Sequence, residues 1–249
     1  MKGVILAGGL GKRLIPLTKI TNKHLLPVYS KPMIYYPIQT LVDAGIEDIL
    51  LVTGGNHAGE FLRLLGDGHA FGLKHINYTY QEGEGGIADA LRLAEHFADG
   101  EKIIVILGDN IIEKSIKKYI DNFAKQPCGA RILIKEVEDP LRFGVVEIKN
   151  WKIISIEEKP RKPKSSYIVT GIYMYDSQVF DIIKKLKPSK RGELEITDVN
   201  NAYLKKGELH YDILKGWWTD SGTFDSLLKA NTLVAKKEKR QGTGLEEVK

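Results

Sequence analysis

Three glycines and two cations fall within six residues, Gly8-Gly9-Leu10-Gly11-Lys12-Arg13. Glycine lets a backbone approach a bulky anion and adopt positive φ. Main-chain N–H groups left at the end of a strand bind phosphate, and Arg13 adds a donor fork that matches phosphate oxygens. Two better-known glycine loops do not fit. The dinucleotide pattern begun at Gly9 needs glycine where Leu14 stands. The P-loop needs Ser or Thr where Arg13 stands, and glycine where Leu6 stands. The stretch reads as a phosphate loop of another kind, with a plain strand-to-helix turn as the alternative.

Other residues could serve such a site. Asp109 follows the apolar run Ile103–Leu107 and Gly108. Its hard oxygens suit Mg²⁺; a helix cap or turn would use the same residue. Asp220 lies in Trp218-Thr-Asp-Ser-Gly-Thr223, read as a polar turn in which Ser221 and Thr223 would cap a helix equally well. Lys23, in a loop before Leu25-Leu26-Pro27, is either solvated or a phosphate ligand. Gln81 precedes Gly83, Gly85 and Gly86, where an amide could meet a nucleobase edge; a flexible loop is the alternative. Glu158-Lys159 suits a sugar hydroxyl and a phosphate, or an ordinary surface ion pair. The six histidines form neither a zinc pattern nor a serine-nucleophile pattern, and are expected to be structural or exposed.

The elements that must position these residues follow from apolar patterning. The runs Val4–Ala7, Ile49–Thr53, Ile76–Tyr80 and Ile103–Leu107 read as buried strands. Helical stretches lie between them: 32–44 closed by Gly45, 57–65 closed by Gly66, and 87–98 closed by Gly100. This alternation predicts a mostly parallel sheet covered on both faces. Ligands of such sheets bind at the carboxyl ends of strands, where the glycine loop and Asp109 both fall. The second half is richer in strands: 132–137, 144–148, 153–158 and 168–175, with a hairpin at Lys149–Lys152. Helices are expected over 176–186, 193–205 and 223–239. No linker divides the chain, so the expectation is one α/β domain with a Rossmann-like sheet. Residues 1–130 form its nucleotide half and 131–240 a mixed-strand extension, and the tail 241–249 is frayed.

Bulk properties narrow the class. With 249 residues, 43% hydrophobic and 28% charged, the chain can bury a sizeable core. A net charge of +5 suits anionic ligands but is too mild to argue for nucleic acid. No apolar run reaches membrane-span length and no leader pattern precedes the first strand, so a cytoplasmic protein is expected. Cys128, the single cysteine, excludes an internal disulfide and is read as a small buried residue.

Taken together, these motifs resemble the sugar-phosphate nucleotidyltransferase family, most closely its short glucose-1-phosphate thymidylyltransferase forms. The resemblance runs over nearly the whole chain, through Leu6–Leu14, Lys23–Pro27, Lys31–Pro37, Leu107–Asn110, Arg142–Val146, Glu157–Pro160, Arg191–Thr197 and Trp218–Gly222. It implies a glycosyltransferase-A-like fold and transfer from dTTP to glucose 1-phosphate, the first step of deoxysugar-nucleotide synthesis. It implies Mg²⁺ on Asp109 and Asp220, and Arg13, Lys23 and Asp109 as catalytic residues. Leu6, Gly8, Gly9, Gly11, Arg13, Lys23, Gln81 and Gly86 would hold the nucleotide. Asp109, Gly144, Glu158, Lys159 and Val169 would hold the sugar phosphate. A dimer or tetramer is implied, with neither nucleic acid nor membrane as partner. The sequence departs from the family at Leu10, His24 and the 82–86 loop, and ends about where longer members add a helical segment. The rivals are the same chemistry with UTP, a non-catalytic nucleotide-sugar sensor, and an NAD dehydrogenase, which the failed dinucleotide pattern disfavours.

Overall fold

A computed structural model of the chain describes residues 1–241; the rest of the expected frayed tail, residues 242–249, lies outside the described residues. The chain begins with β1 (Lys2–Ala7), the hairpin β2 (Pro27–Val28) and β3 (Lys31–Pro32), and α1 (Tyr35–Val42). It continues through β4 (Asp48–Gly54), α2 (Ala58–Leu65), β5 (His75–Gln81), α3 (Ile87–Arg92), α4 (Glu95–Ala98) and β6 (Ile103–Leu107). Next come β7 (Asn110–Ile112), α5 (Lys117–Lys125), β8 (Ala130–Glu136), β9 (Gly144–Lys149), β10 (Lys152–Glu158) and β11 (Tyr167–Tyr175). The last elements are α6 (Gln178–Ile183), α7 (Ile196–Lys206), β12 (Leu209–Ile213), β13 (Trp218–Asp220) and α8 (Phe224–Gln241).

A nine-stranded sheet runs through both halves in the order β10-β9-β11-β6-β1-β4-β5, with β8 on β11 and β12 on β8. Strands β6, β1, β4 and β5 are parallel, and β11 joins antiparallel to β6. Strand alternation sends Val4 and Leu6 into one apolar layer and Ile5 and Ala7 into the other, so both faces are covered. A third cluster seats Ala230 and Val234 of α8 against Val28, Met33 and Ile111.

The structure departs from the patterning in definite places. The first expected helix starts at Tyr35, because Pro32 pairs with Pro27 in the hairpin. The stretch 87–98 splits where bonding tightens to the third residue back, Leu93 N–H to the Ala90 carbonyl and Ala94 N–H to that of Leu91. Helix α5 was not anticipated, although Ile116, Tyr119, Ile120 and Phe123 bury one helical face. The expected polar turn at Trp218–Asp220 is strand β13, antiparallel to β7. Cys128 is exposed rather than buried. Gln126 takes the inward position in that turn, and its amide donates to the Cys128 carbonyl oxygen. The hairpin at Asn150-Trp151 is as expected, a two-residue loop with both φ positive.

Candidate active site

Strand β1 ends in the glycine loop, and Gly11 turns the chain outward at φ 65°. Thr18 Oγ donates to the Gly11 carbonyl oxygen at 3.0 Å. A Cβ at Gly11 would lie 2.9 Å from Lys23 Cβ, so both the conformation and the crowding select glycine there. Leu14 is fully buried and anchors the short helical turn that follows, which leaves Lys12 and Arg13 exposed.

Strand β6 delivers Asp109 beside this loop, and Lys23 Nζ meets its Oδ2 at 2.6 Å. Lys23 is therefore not the solvated lysine of a loop mouth: only 14% of its side chain is exposed. Burial pushes the Asp109 carboxyl up, but its surroundings, the Lys23 ammonium first and the Asn110 amide with it, hold it well below the usual carboxylate range. Asn110 fixes the strand end. Its Nδ2 donates to Asp109 Oδ1 at 3.0 Å, and its Oδ1 accepts from Gly171 N–H at 2.9 Å and Trp218 Nε1–H at 2.7 Å. The β7–β13 ladder pairs Asp220 with Asn110, and Ser221 N–H donates to the Asp109 carbonyl oxygen at 2.9 Å. Two carboxylates remote in sequence thus face one cleft. Burial and the Asp109 charge raise the Asp220 carboxyl, opposed by Arg142, Arg13 and Lys23.

His24 lies behind Lys23, 2% exposed. Its Nδ1–H donates to Asn22 Oδ1 at 2.8 Å. Burial and the neighbouring Lys23 lower its pKa to about 3, so it is neutral and structural.

At the end of β5, Gln81 Nε2 donates to the Gly86 carbonyl oxygen at 3.1 Å and to Asp89 Oδ2 at 2.9 Å. That ties the 82–86 loop to the end of β5. At the end of β10, Thr197 Oγ donates to Glu158 Oε2 at 2.5 Å. Lys159 adopts φ 45°, unusual for a residue with a Cβ, and its N–H donates to the Phe143 carbonyl oxygen at 3.0 Å. Every residue that the sequence resemblance assigns to nucleotide, sugar phosphate or metal lines one cleft of about 710 Å³, Gly144 and Val169 together with Gln81 and Gly86. Sequence reasoning gave no role to Tyr173, Arg142 or Arg191, which line it too. Arg142 and Arg191 stood within quoted motifs, but nothing local distinguished them from surface cations.

An α/β sheet with a glycine loop, a carboxylate pair and abundant cations in one cleft defines a protein that handles phosphorylated ligands. The nucleotidyl transferase family profile matches residues 2–237, and the chain belongs to that family. Among its relatives, the glucose-1-phosphate thymidylyltransferase of Neisseria meningitidis serogroup A is 48% identical over 94% of this chain and 82% of its own length. That of Mycolicibacterium smegmatis is 45% identical over 97% and 85%. A Bacillus anthracis protein provisionally assigned as a glucose-1-phosphate thymidylyltransferase, crystallised with sucrose, superposes with TM-score 0.90 and 56% identity, covering 94% of each chain. A UDP-glucose pyrophosphorylase bound to UDP-glucose superposes with TM-score 0.83 at 26% identity, over 95% of this chain and 98% of its own.

Proposed function

We propose that this protein joins dTTP to glucose 1-phosphate, forming dTDP-glucose and pyrophosphate. The observation that carries this reading is the convergence of Asp109 and Asp220 beside the glycine loop in one cleft. The triphosphate lies along Gly8, Gly9 and Gly11, with Arg13 and Lys23 on its oxygens, Leu6 beneath, and the base toward Gln81 and Gly86. The sugar phosphate occupies the half that carries Gly144, Glu158 and Val169, with Lys159 at its phosphate.

The attacking atom is a phosphate oxygen of glucose 1-phosphate, already ionised at neutral pH, so no general base is required. This accords with His24, the only histidine among the described residues that line the cleft, being neutral and occupied by Asn22. The oxygen bonds to the α-phosphorus of dTTP. The bond from that phosphorus to the bridging oxygen breaks, and pyrophosphate leaves with the electron pair. Two polyanions must meet, so positioning by the backbone loop and charge stabilisation by cations supply most of the acceleration.

The donor set fits Mg²⁺. Asp109 and Asp220 offer hard oxygen atoms, and a bound cation would offset both the burial and the Asp109 charge that raise Asp220. Mg²⁺ bound there would offset charge on the phosphate oxygens.

UTP is the nearest competing substrate, because the thymine methyl is worth only ~1–3 kcal/mol in a pocket. The higher identity to thymidylyltransferases favours dTTP. A nucleotide-sugar sensor would have no use for the carboxylate pair. A cytoplasmic dimer or tetramer belongs to the same reading and rests on the family resemblance; light scattering reads the assembly.

The test is pyrophosphate release from a panel of four triphosphates and several sugar 1-phosphates with Mg²⁺. Release is expected to be fastest with dTTP and glucose 1-phosphate, and silence from every pair would hand the case to the sensor. Asp109→Asn and Asp220→Asn should each lower kcat by roughly 100-fold or more. Near-native turnover in either would remove that residue from the metal site.

A further inference from the structure

The cleft is as acidic as it is basic. Its lining carries six Lys and Arg side chains and six carboxylates, so its formal charge is zero although it must accept two polyanions. Five of the six cations are already engaged: Lys159 lies 3.4 Å from Glu158, and four others reach acidic partners in the lining. Lys12 pairs with Glu84, Lys23 with Asp109 at 2.6 Å, Arg142 with Asp220 at 3.5 Å, and Arg191 with Glu195 at 2.8 Å. Two of these pairs use the carboxylates assigned above to the metal.

Arg142 is the least settled of the four. Its Nη2 reaches Asp220 Oδ1 only at 3.5 Å, and its Nη1 is buried with no hydrogen-bond partner. The guanidinium rests over the Phe143 ring, 5.1 Å from the centroid. A five-donor group with one weak ion pair and an orphaned buried nitrogen gains bonds by moving to phosphate oxygens. Asp220 in turn gains a divalent partner for a monovalent one.

We propose that Arg142 is a phosphate-binding residue held in reserve on Asp220, and that divalent-cation binding releases it by exchange of partners. The Asp109 and Asp220 carboxylates pass to the metal, and Lys23 and Arg142 pass to the phosphates. The proposal rests on the nucleotidyl-transfer reading of the cleft. It requires metal and triphosphate to bind cooperatively, because each frees the partners of the other.

The exchange makes Arg142 act in opposite directions on two ligands. Mn²⁺ alone, followed by the paramagnetic signal of the free ion, should bind Arg142→Met several-fold more tightly than the unmodified protein, since a competing cation is gone. In saturating Mn²⁺, α,β-methylene-dTTP should bind Arg142→Met about 10-fold more weakly, since a charge-assisted contact is lost. Arg142→Lys, which keeps the charge, should bind Mn²⁺ alone within about two-fold of the unmodified protein. Mn²⁺ affinity that is unchanged or weaker in Arg142→Met, with folding verified by circular dichroism, would make Arg142 a fixed brace and overturn the exchange. Unchanged analogue affinity would do the same. If the unmodified protein binds no metal–nucleotide complex at all, the nucleotidyl-transfer reading fails with it, and the two failures are thereby distinguished.

Discussion

A histidine whose imidazole stays neutral to about pH 3 makes stability depend on pH. An unfolded histidine protonates near pH 6.5. Between the two values the unfolded chain binds the extra proton, so acidification favours unfolding; above pH 6.5 neither state is charged and the effect vanishes. By linkage, His24 contributes a loss of ~2 kcal/mol between pH 7 and pH 5. Urea denaturation of the unmodified protein and His24→Gln at both pH values reads this directly. The unmodified protein should lose more stability over that interval by about that amount, and equal losses would mean that His24 titrates normally. The same burial makes His24, the one histidine lining the cleft among the described residues, a poor general base at neutral pH.

Strand β11 sets the geometry at the next scale. One of its edges is shared, Ile168 pairing with β9 and Ile172 to Tyr175 with β6. Its other edge carries a bulge against β8 between Val169 and Tyr173. Gly171 lies within this irregularity, and a Cβ there would stand 2.5 Å from Asn110 Nδ2. Gly171→Ala should therefore cost ~1–3 kcal/mol in denaturant unfolding. It should also lower kcat more than it raises KM, because Asn110 holds both Asp109 and Trp218. Unaltered kinetics in a destabilised variant would confine Asn110 to a packing role.

The parallel strands, the glycine loop and Asp109 were legible because each is written in one continuous stretch. Strands β7 and β13 were not, since three residues show no period. Yet their ladder is what brings Asp220 to Asp109. Nor could local sequence distinguish Lys23, paired and mostly covered, from a solvated loop lysine. Arg142 acquires meaning only once Asp220 lies beside it. The spacing Ile116-Tyr119-Ile120-Phe123 carries the helical period of α5 in the sequence itself, whereas the exposure of Cys128 depends on Gln126 filling the turn.

The whole chain carries a net charge of +5, but the cleft lining is formally neutral. Excess positive charge on the rest of the molecule steers anions toward the protein without itself paying for their desolvation in the site. Metal should therefore govern thermal stabilisation by nucleotide. At a free Mg²⁺–dTTP concentration 100 times Kd the gain is ~2.7 kcal/mol. The same dTTP in the presence of a chelator should give a markedly smaller rise in melting temperature. Equal rises would mean that the backbone loop and Arg13 suffice without a divalent ion.

The shared edge of β11 also bears on how the polypeptide could be divided. Ile103 to Ile106 of β6, all but wholly buried, have residues 172–175 as their neighbours on one side. Severed after residue 130, the amino-terminal fragment would present a bare apolar ladder, an invitation to self-association. The two parts of the chain are accordingly inseparable portions of a common sheet, and neither is expected to fold as a module of its own.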